Sequence, residues 1–276
     1  MKSPAFPITD DHIHIDPVNG RGIEAAKDFL RAGGTHLFLV SKPSWSLSVH
    51  PTCGDDYRTV FDETLRVAEM VRDIGLGVHA VLGVHPAEIS RLTERMSLAQ
   101  AVTVMKAGLD CAARYVLEGK AVALKSGRPH YDVNPEILAA SNDVLAHALD
   151  LAAECRCALQ IHAESGPCID VVEMAQRAKV PIERVVKHYG SPETPLHPSL
   201  IAKHEAIPQL TREKRYFTME SDYMDENSRP GAVIGPKSVP RYTNLLLKNG
   251  LISQDDCFRI HAETIERVYG VVITVG

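Results

Sequence analysis

The sequence has no apolar run approaching the roughly 18 residues that a bilayer-spanning helix needs. Its first nine residues hold two prolines and lead straight into a candidate strand, which leaves no room for a secretory signal. The six cysteines lack the CxxC spacing of a zinc knuckle or a redox motif. Basic residues are not in excess, since the net charge is -5, and this argues against a strongly basic nucleic-acid coat. We therefore expect a cytoplasmic protein with reduced thiols and no membrane partner.

Short runs rich in Val, Ile and Leu instead alternate with longer segments of helical periodicity along the whole chain. This alternation is typical of βα units that build a parallel sheet. The 276 residues match the roughly 250 that an eight-unit barrel requires. No linker rich in Pro, Gly or Ser marks a domain boundary. We predict an α/β protein with one TIM (β/α)8 barrel domain over residues 1–276.

The apolar runs predict eight strands and seven helices. The strands are predicted near residues 8–16, 35–42, 77–86, 121–127, 157–165, 184–190, 206–210 and 216–222. The helices are predicted near residues 22–32, 56–74, 97–117, 135–154, 169–178, 242–248 and 255–269. The pattern is weakest for the seventh strand, near residue 206.

Two histidines share one face of the first predicted strand. Side chains alternate along a strand, so His12 and His14 point the same way while Ile13 and Ile15 point oppositely. Neutral imidazole is a good ligand for zinc and related metals, and a rigid strand fixes the separation of two ligands. A single pair of this kind also occurs by chance on many strands.

Further polar side chains fall at the carboxyl ends of later strands. They are Lys125 on the fourth, His162 on the fifth, His188 on the sixth and Asp222 on the eighth. In a barrel these ends ring one mouth, where active sites of this fold are found. A satisfied core histidine is the usual explanation for any one of them, but the whole set indicates a metal site.

Several short motifs carry a family resemblance. They are His12-Ile13-His14-Ile15-Asp16, Gly83-Val84-His85-Pro86, Gly127-Arg128-Pro129-His130-Tyr131, Ile161-His162, Lys187-His188-Tyr189 and Glu220-Ser221-Asp222-Tyr223. Together they resemble the TatD-related metal-dependent hydrolases of the amidohydrolase superfamily, particularly the archaeal-type branch. The resemblance implies a TIM barrel of the metallo-dependent hydrolase type and a centre of two divalent ions (Zn, Mn or Mg). It further implies that one ion is held by His12, His14 and Asp222, and the other by His162 and His188.

Lys125 departs from the family pattern. Relatives commonly carry a glutamate that bridges the two metals two residues before the glycine of the fourth-strand motif, where this sequence has Lys125 before Gly127. An ammonium group beside two divalent ions would disfavour metal binding. We hypothesise that Lys125 reacts with carbon dioxide to form a carbamate, as in phosphotriesterase-like members of the superfamily. The alternatives are a single-metal site with Lys125 turned aside, or an inactive centre.

The resemblance favours hydrolysis of a phosphodiester, in a nucleic acid or a small molecule, by a metal-activated hydroxide. Asp222 is then both a metal ligand and the general base. His85 and Arg128 are predicted to bind substrate, although His85 is equally well explained as a turn residue. Cations in the loop after the eighth strand (Arg229, Lys237 and Arg241) suggest a phosphate group, or are ordinary surface charges.

Two other functions stay open. One is hydrolysis of an amide, ester or lactone by the same centre, since metal-activated water attacks carbonyl carbon as well as phosphorus. The other is a metal-binding protein that has lost catalysis. The sequence carries no signal for the oligomeric state.

Overall fold

The computed structural model describes residues 6–228 and 233–274. Its strands are β1 (Thr9–His14), β2 (His36–Val40), β3 (Gly77–Gly83), β4 (Ala123–Gly127), β5 (Ala158–His162), β6 (Val185–Lys187), β7 (His197–Ile201), β8 (Thr218–Glu220) and β9 (Tyr223–Met224). Its helices are α1 (Ile23–Arg31), α2 (Arg58–Arg72), α3 (Glu88–Thr93), α4 (Leu98–Leu117), α5 (Pro135–Cys155), α6 (Ile169–Ala178), α7 (Ile207–Arg212), α8 (Ser238–Lys248), α9 (Gln254–Phe258) and α10 (Thr264–Tyr269). A π-helical turn, Arg259–Glu263, joins the last two helices.

The strands form one parallel barrel wall in the order β8-β7-β6-β5-β4-β3-β2-β1-β9. The eighth strand of the barrel is split into β8 and β9 by two residues, Ser221 and Asp222. β8 pairs with β7, and β9 pairs with β1, so this split strand closes the ring. The predicted TIM-barrel fold is confirmed.

The predicted seventh strand is wrong. Residues 207–212 form α7, with a proline in its first turn, and β7 lies earlier at His197–Ile201. Pro208 costs nothing in a first helical turn, because the N–H that it lacks would have no partner there. The short run of β7 contains Pro198 and Ser199, which hide its apolar pattern.

Local sequence explains where the two long outer helices begin. Ser97 and Gln100 form a capping box at the start of α4. Asn134 caps α5, and Pro135 occupies the first position of that helix. None of the described helices is both long and apolar enough to span a bilayer.

The barrel interior has an apolar half and a polar half. Inward-facing residues such as Phe38, Val81, Ala123 and Ala158 pack against the C-terminal helix, whose Tyr269 lies among them. Because Ala123 and Ala158 begin their strands, this apolar plug closes the amino end of the barrel. The polar side chains of the predicted site are left at the carboxyl end.

Candidate metal centre

Two histidines on β1 direct ring nitrogens at each other. The Nε2 atoms of His12 and His14 lie 3.2 Å apart, and both side chains are buried. The Nδ1–H of His14 donates to the carbonyl of Val40 at 2.8 Å, and that of His12 donates to Oε1 of Gln160 at 2.8 Å. A neutral imidazole has one ring proton, so the two Nε2 lone pairs face each other. That arrangement is favourable only beside a positive charge.

A second pair of histidines lies at the ends of β5 and β6. Nδ1 of His162 is 2.8 Å from Nε2 of His188. The other nitrogen of His188, Nδ1, donates to Oε1 of Glu220 at 3.1 Å, which fixes the tautomer and orientation of the ring. With Nδ1 of His188 protonated, its Nε2 carries the lone pair that faces His162.

The two pairs belong to one site. The rings of His12 and His188 stack with their centroids 4.0 Å apart. Oδ1 of Asp222 is 3.9 Å from Nε2 of His12, and a ligand atom from each of His12, His188 and Asp222 lies within 4.8 Å of the others. The break in the eighth strand positions Asp222, whose N–H donates to the carbonyl of His12 at 3.0 Å and whose φ is 46°.

Burial keeps these imidazoles neutral. For His14, burial and then the charge of Lys125 lower the pKa to about 3. Burial is also the largest cause that lowers the pKa values of His12, His162 and His188 well below 6.5. Neutral imidazole is the form that binds metals, so the site is held ready for a cation at neutral pH.

Lys125 lies among the predicted ligands. Its Nζ is 3.1 Å from Nε2 of His12, and its side chain is buried. Burial lowers the pKa of Lys125 to about 8, although the charges of Asp222 and Glu220 act in the opposite direction. Burial raises the pKa of Asp222 to about 6, and Lys125 opposes that rise.

All six predicted metal ligands therefore come together. They are His12, His14, Lys125, His162, His188 and Asp222. Imidazole and carboxylate are ligands that divalent ions accept, and His12, His188 and Asp222 place one ligand atom each within 4.8 Å of the others. The ammonium form of Lys125 is the exception, since it brings a positive charge to the place where cations would bind.

Two supporting residues were missed by the sequence analysis. Gln160 accepts from His12, and its Nε2 donates to the carbonyl of Asp11 and to the hydroxyl of Tyr269, both at 2.8 Å. Glu220 accepts from His188, and burial followed by the charge of Asp222 raises its pKa well above the usual value. The available signal was strand parity, since each residue stands two positions before a predicted ligand and so shares its face.

Replacing Glu220 by alanine should weaken divalent metal binding by roughly 10- to 100-fold, because the His188 ring loses its anchor. Glu220→Gln should lose less, since an acceptor oxygen remains. A chelator first removes bound metal from the protein, and isothermal titration calorimetry with Zn²⁺ or Mn²⁺ then measures the affinity. Thermal unfolding checks that each variant is folded. Equal affinity in the wild type and Glu220→Ala would show that Glu220 does not position His188.

Two further histidines border the site. The ring centroid of His85, a predicted substrate ligand, is 4.8 Å from that of His162, and its Nδ1 accepts the N–H of Ala87 at 3.2 Å. His85 thus stabilises its turn beside the site, and substrate contact stays a prediction. His130, to which the sequence gave no role, places Nδ1 2.7 Å from Nε2 of His162.

Arg128 does not face the mouth as a free cation. Its Nε donates to Glu164 at 2.7 Å, and its terminal nitrogens donate to Glu164, Asp170 and Asn142. These contacts use all five donors of the guanidinium group, so the geometry does not support the predicted substrate contact.

The cations after the eighth strand stay a prediction as phosphate ligands: Lys237 is paired, whereas Arg241 is exposed. Lys237 pairs with Asp28, with 3.2 Å between Nζ and Oδ2. Arg229 lies outside the described residues.

The family comparison agrees with this geometry. The family model described as TatD related DNase matches residues 9–270. An uncharacterized protein of Methanocaldococcus jannaschii is 34% identical over 277 residues, which cover 96% of this chain and 96% of that protein.

Solved structures show the same fold at low identity. The TatD homolog YjjV from Escherichia coli has a TM-score of 0.62 at 15% identity, over 96% of this chain and 98% of that chain. A mutant lactonase from Deinococcus radiodurans, described as phosphotriesterase-like, has a TM-score of 0.64 at 14% identity, over 97% of each chain. The match over nearly the whole sequence, with the converging histidines, shows that the chain belongs to the TatD-related family of metal-dependent hydrolases.

Proposed function

We propose that this chain hydrolyses phosphodiester bonds with two divalent ions held at the carboxyl end of the barrel. His12, His14 and Asp222 would hold one ion, and His162 and His188 the other. The observation that carries the proposal is the convergence of ring nitrogens from neutral imidazoles, 3.2 Å apart within the β1 pair and 2.8 Å apart between β5 and β6. Zn, Mn and Mg all remain candidates for the metal.

Asp222 is the proposed general base. When bound, a pair of such ions lowers the pKa of a water towards neutrality and polarises the bond to be cleaved. The Asp222 side chain is 16% exposed, whereas that of His12 is 1% exposed, so substrate and solvent reach Asp222 more easily than His12. Its carboxylate would take the proton of the attacking water and return it to the leaving oxygen.

Lys125 is the proposed bridge between the two ions. Its neutral amine would attack carbon dioxide, form a C–N bond and release one proton, which leaves a carbamate with one negative charge. The buried Nζ beside His12 supports this, because the reaction turns a repelling cation into an anionic ligand at the place where the two ions would bind. The lowered pKa of Lys125, about 8 through burial, increases the share of reactive amine at neutral pH.

A lactone or ester hydrolase is the second candidate. Arg128 pairs with Glu164 and Asp170, and Lys237 pairs with Asp28, so two cations that suggested a phosphate group already have acidic partners. One structural neighbour is described as a lactonase. The family description as a DNase keeps the phosphodiester ahead.

A substrate panel tests the proposed reaction. Purified protein loaded with Mn²⁺ or Zn²⁺ is assayed on single-stranded DNA, dinucleotides, lactones and cyclic amides, each with and without a chelator. We expect chelator-sensitive cleavage of the phosphodiesters with the highest kcat/KM. Faster turnover of lactones would replace the proposal with the second candidate. Full metal loading without turnover of any substrate would favour a metal-binding protein that has lost catalysis.

A further inference from the structure

Tyr189 has a backbone conformation that bulky residues rarely adopt. Its φ is 50°, in the left-handed region. Among the described non-glycine residues with positive φ, most end or flank helices, whereas Tyr189 and Asp222 follow barrel strands at the carboxyl end. Aspartate adopts this conformation more often because its short polar side chain can hydrogen-bond to the nearby backbone. Tyrosine has no short polar group that could offset the steric cost in this way. Such strain collects at functional sites, where the surrounding structure maintains it.

Contacts on both sides hold Tyr189 in this conformation. Its N–H donates to Oε1 of Glu220 at 2.8 Å, and the same oxygen accepts from Nδ1 of His188. The next residue, Gly190, donates its N–H to the carbonyl of Ser199 at 2.8 Å. The backbone is therefore fixed directly after a predicted metal ligand, while Tyr189 as a whole residue is 55% exposed.

A second exposed tyrosine lies on the other side of β5. Tyr131 follows β4 and is 41% exposed. Its hydroxyl is 2.9 Å from Oγ of Ser90, and its ring meets the His130 ring edge-on at 5.4 Å between centroids. Since β4, β5 and β6 are neighbours in the sheet, Tyr131 and Tyr189 flank the strand that carries His162.

We propose that Tyr189, with Tyr131 opposite it, forms a subsite that binds a planar ring of the substrate next to the bond that is cleaved. This inference rests on the proposed function and adds to it the residues that would hold the base of a nucleotide at the rim of the barrel. Every base has a π-face, so a stacking tyrosine selects for a ring without reading base sequence. An exposed aromatic side chain held on a rigid backbone also loses little conformational entropy when it binds.

Pairs of substrates that differ in one ring isolate the contribution of that ring to binding and turnover. The dinucleotide d(TpT) is compared with an analogue of the same backbone that carries abasic residues, and product is measured by chromatography. A phenyl-substituted γ-butyrolactone and its methyl counterpart form a second pair, which distinguishes a nucleobase from any aryl group and covers carbonyl chemistry. The ratio of kcat/KM within each pair measures the preference for a ring.

Tyr189→Ala should lower the ring preference roughly 5- to 100-fold, mainly through KM, because stacking on one base is lost. Tyr189→Phe should keep it. Tyr189→Gly should show the same reduced ring preference as Tyr189→Ala. Its Tm should not fall below that of Tyr189→Ala, because glycine adopts positive φ freely. Tyr216 is the matched control: it is 50% exposed, it precedes β8 at the opposite end of the barrel, and Tyr216→Ala should not change the ratio.

An unchanged ratio in Tyr189→Ala, or an equal fall in Tyr216→Ala, would overturn the subsite. Cleavage of the lactone pair alone would reject the phosphodiester proposal, and the ring preference would then be judged on the lactones. If neither pair is cleaved, the same ratio is taken from dissociation constants measured by calorimetry with the dinucleotide and its abasic analogue. Equal constants for the two compounds would also overturn the subsite.

Discussion

Lys125→Ala should lose hydrolytic activity and then recover part of it when a small carboxylic acid such as acetate is supplied. The proposed carbamate contributes an anionic group beside His12. Alanine removes this negative charge and leaves the space of the lysine side chain empty. A free carboxylate can enter that space and replace the bridge. We expect a rate loss of roughly 100-fold or more, as is typical when an electrostatic stabiliser is removed from an active site.

Lys125→Glu should retain activity, because a side-chain carboxylate then supplies the bridging charge directly. Lys187 provides a control for the rescue. It is a buried lysine at the end of β6, and its Nζ donates to the carbonyls of Ala163 and His188. Any loss in Lys187→Ala should not respond to acetate. Wild-type activity and metal content in Lys125→Ala would end the carbamate hypothesis.

Asp222→Asn should lower kcat by roughly 100- to 10,000-fold, the usual contribution of a general base. Asparagine keeps an oxygen that can bind metal but cannot take a proton from water. It also tolerates the left-handed conformation of residue 222, so the break in the eighth strand should persist. The measurement is kcat at saturating metal, together with Tm.

Asp110→Asn is the control for Asp222→Asn, because Asp110 lies on the outer helix α4 and pairs there with His147. Its kcat should stay near the wild-type value. An Asp222→Asn variant with wild-type kcat and full metal content would remove Asp222 from the proposed proton transfer.

The sequence predicted most of the barrel because its strands are apolar runs bounded by turns. The seventh strand failed for a local reason: Pro198 and Ser199 interrupt β7, while the apolar residues near 207 belong to a helix with proline in its first turn. The break between β8 and β9 was also missed. A positive φ at Asp222 depends on how the barrel closes onto β1, which no local pattern records.

The candidate site could be predicted in its ligand types but not in its supporting contacts. Strand parity and strand ends were enough to select the six side chains that come together. Gln160 and Glu220 accept hydrogen bonds from the rings of His12 and His188. Which ring nitrogen faces which neighbour depends on how the strands pack in the folded barrel, so these bonds could not be predicted. The ion pairs of Arg128 could not be predicted, because its partners Glu164 and Asp170 come from the next loop and helix.

Anomalous diffraction from crystals grown with Mn²⁺ tests the central claim most directly. We predict two peaks at the carboxyl end of the barrel, one bounded by His12, His14 and Asp222, the other by His162 and His188, with extended density at the end of Lys125 between them. A crystal saturated with Mn²⁺ that shows no peak among these residues would contradict the proposed centre.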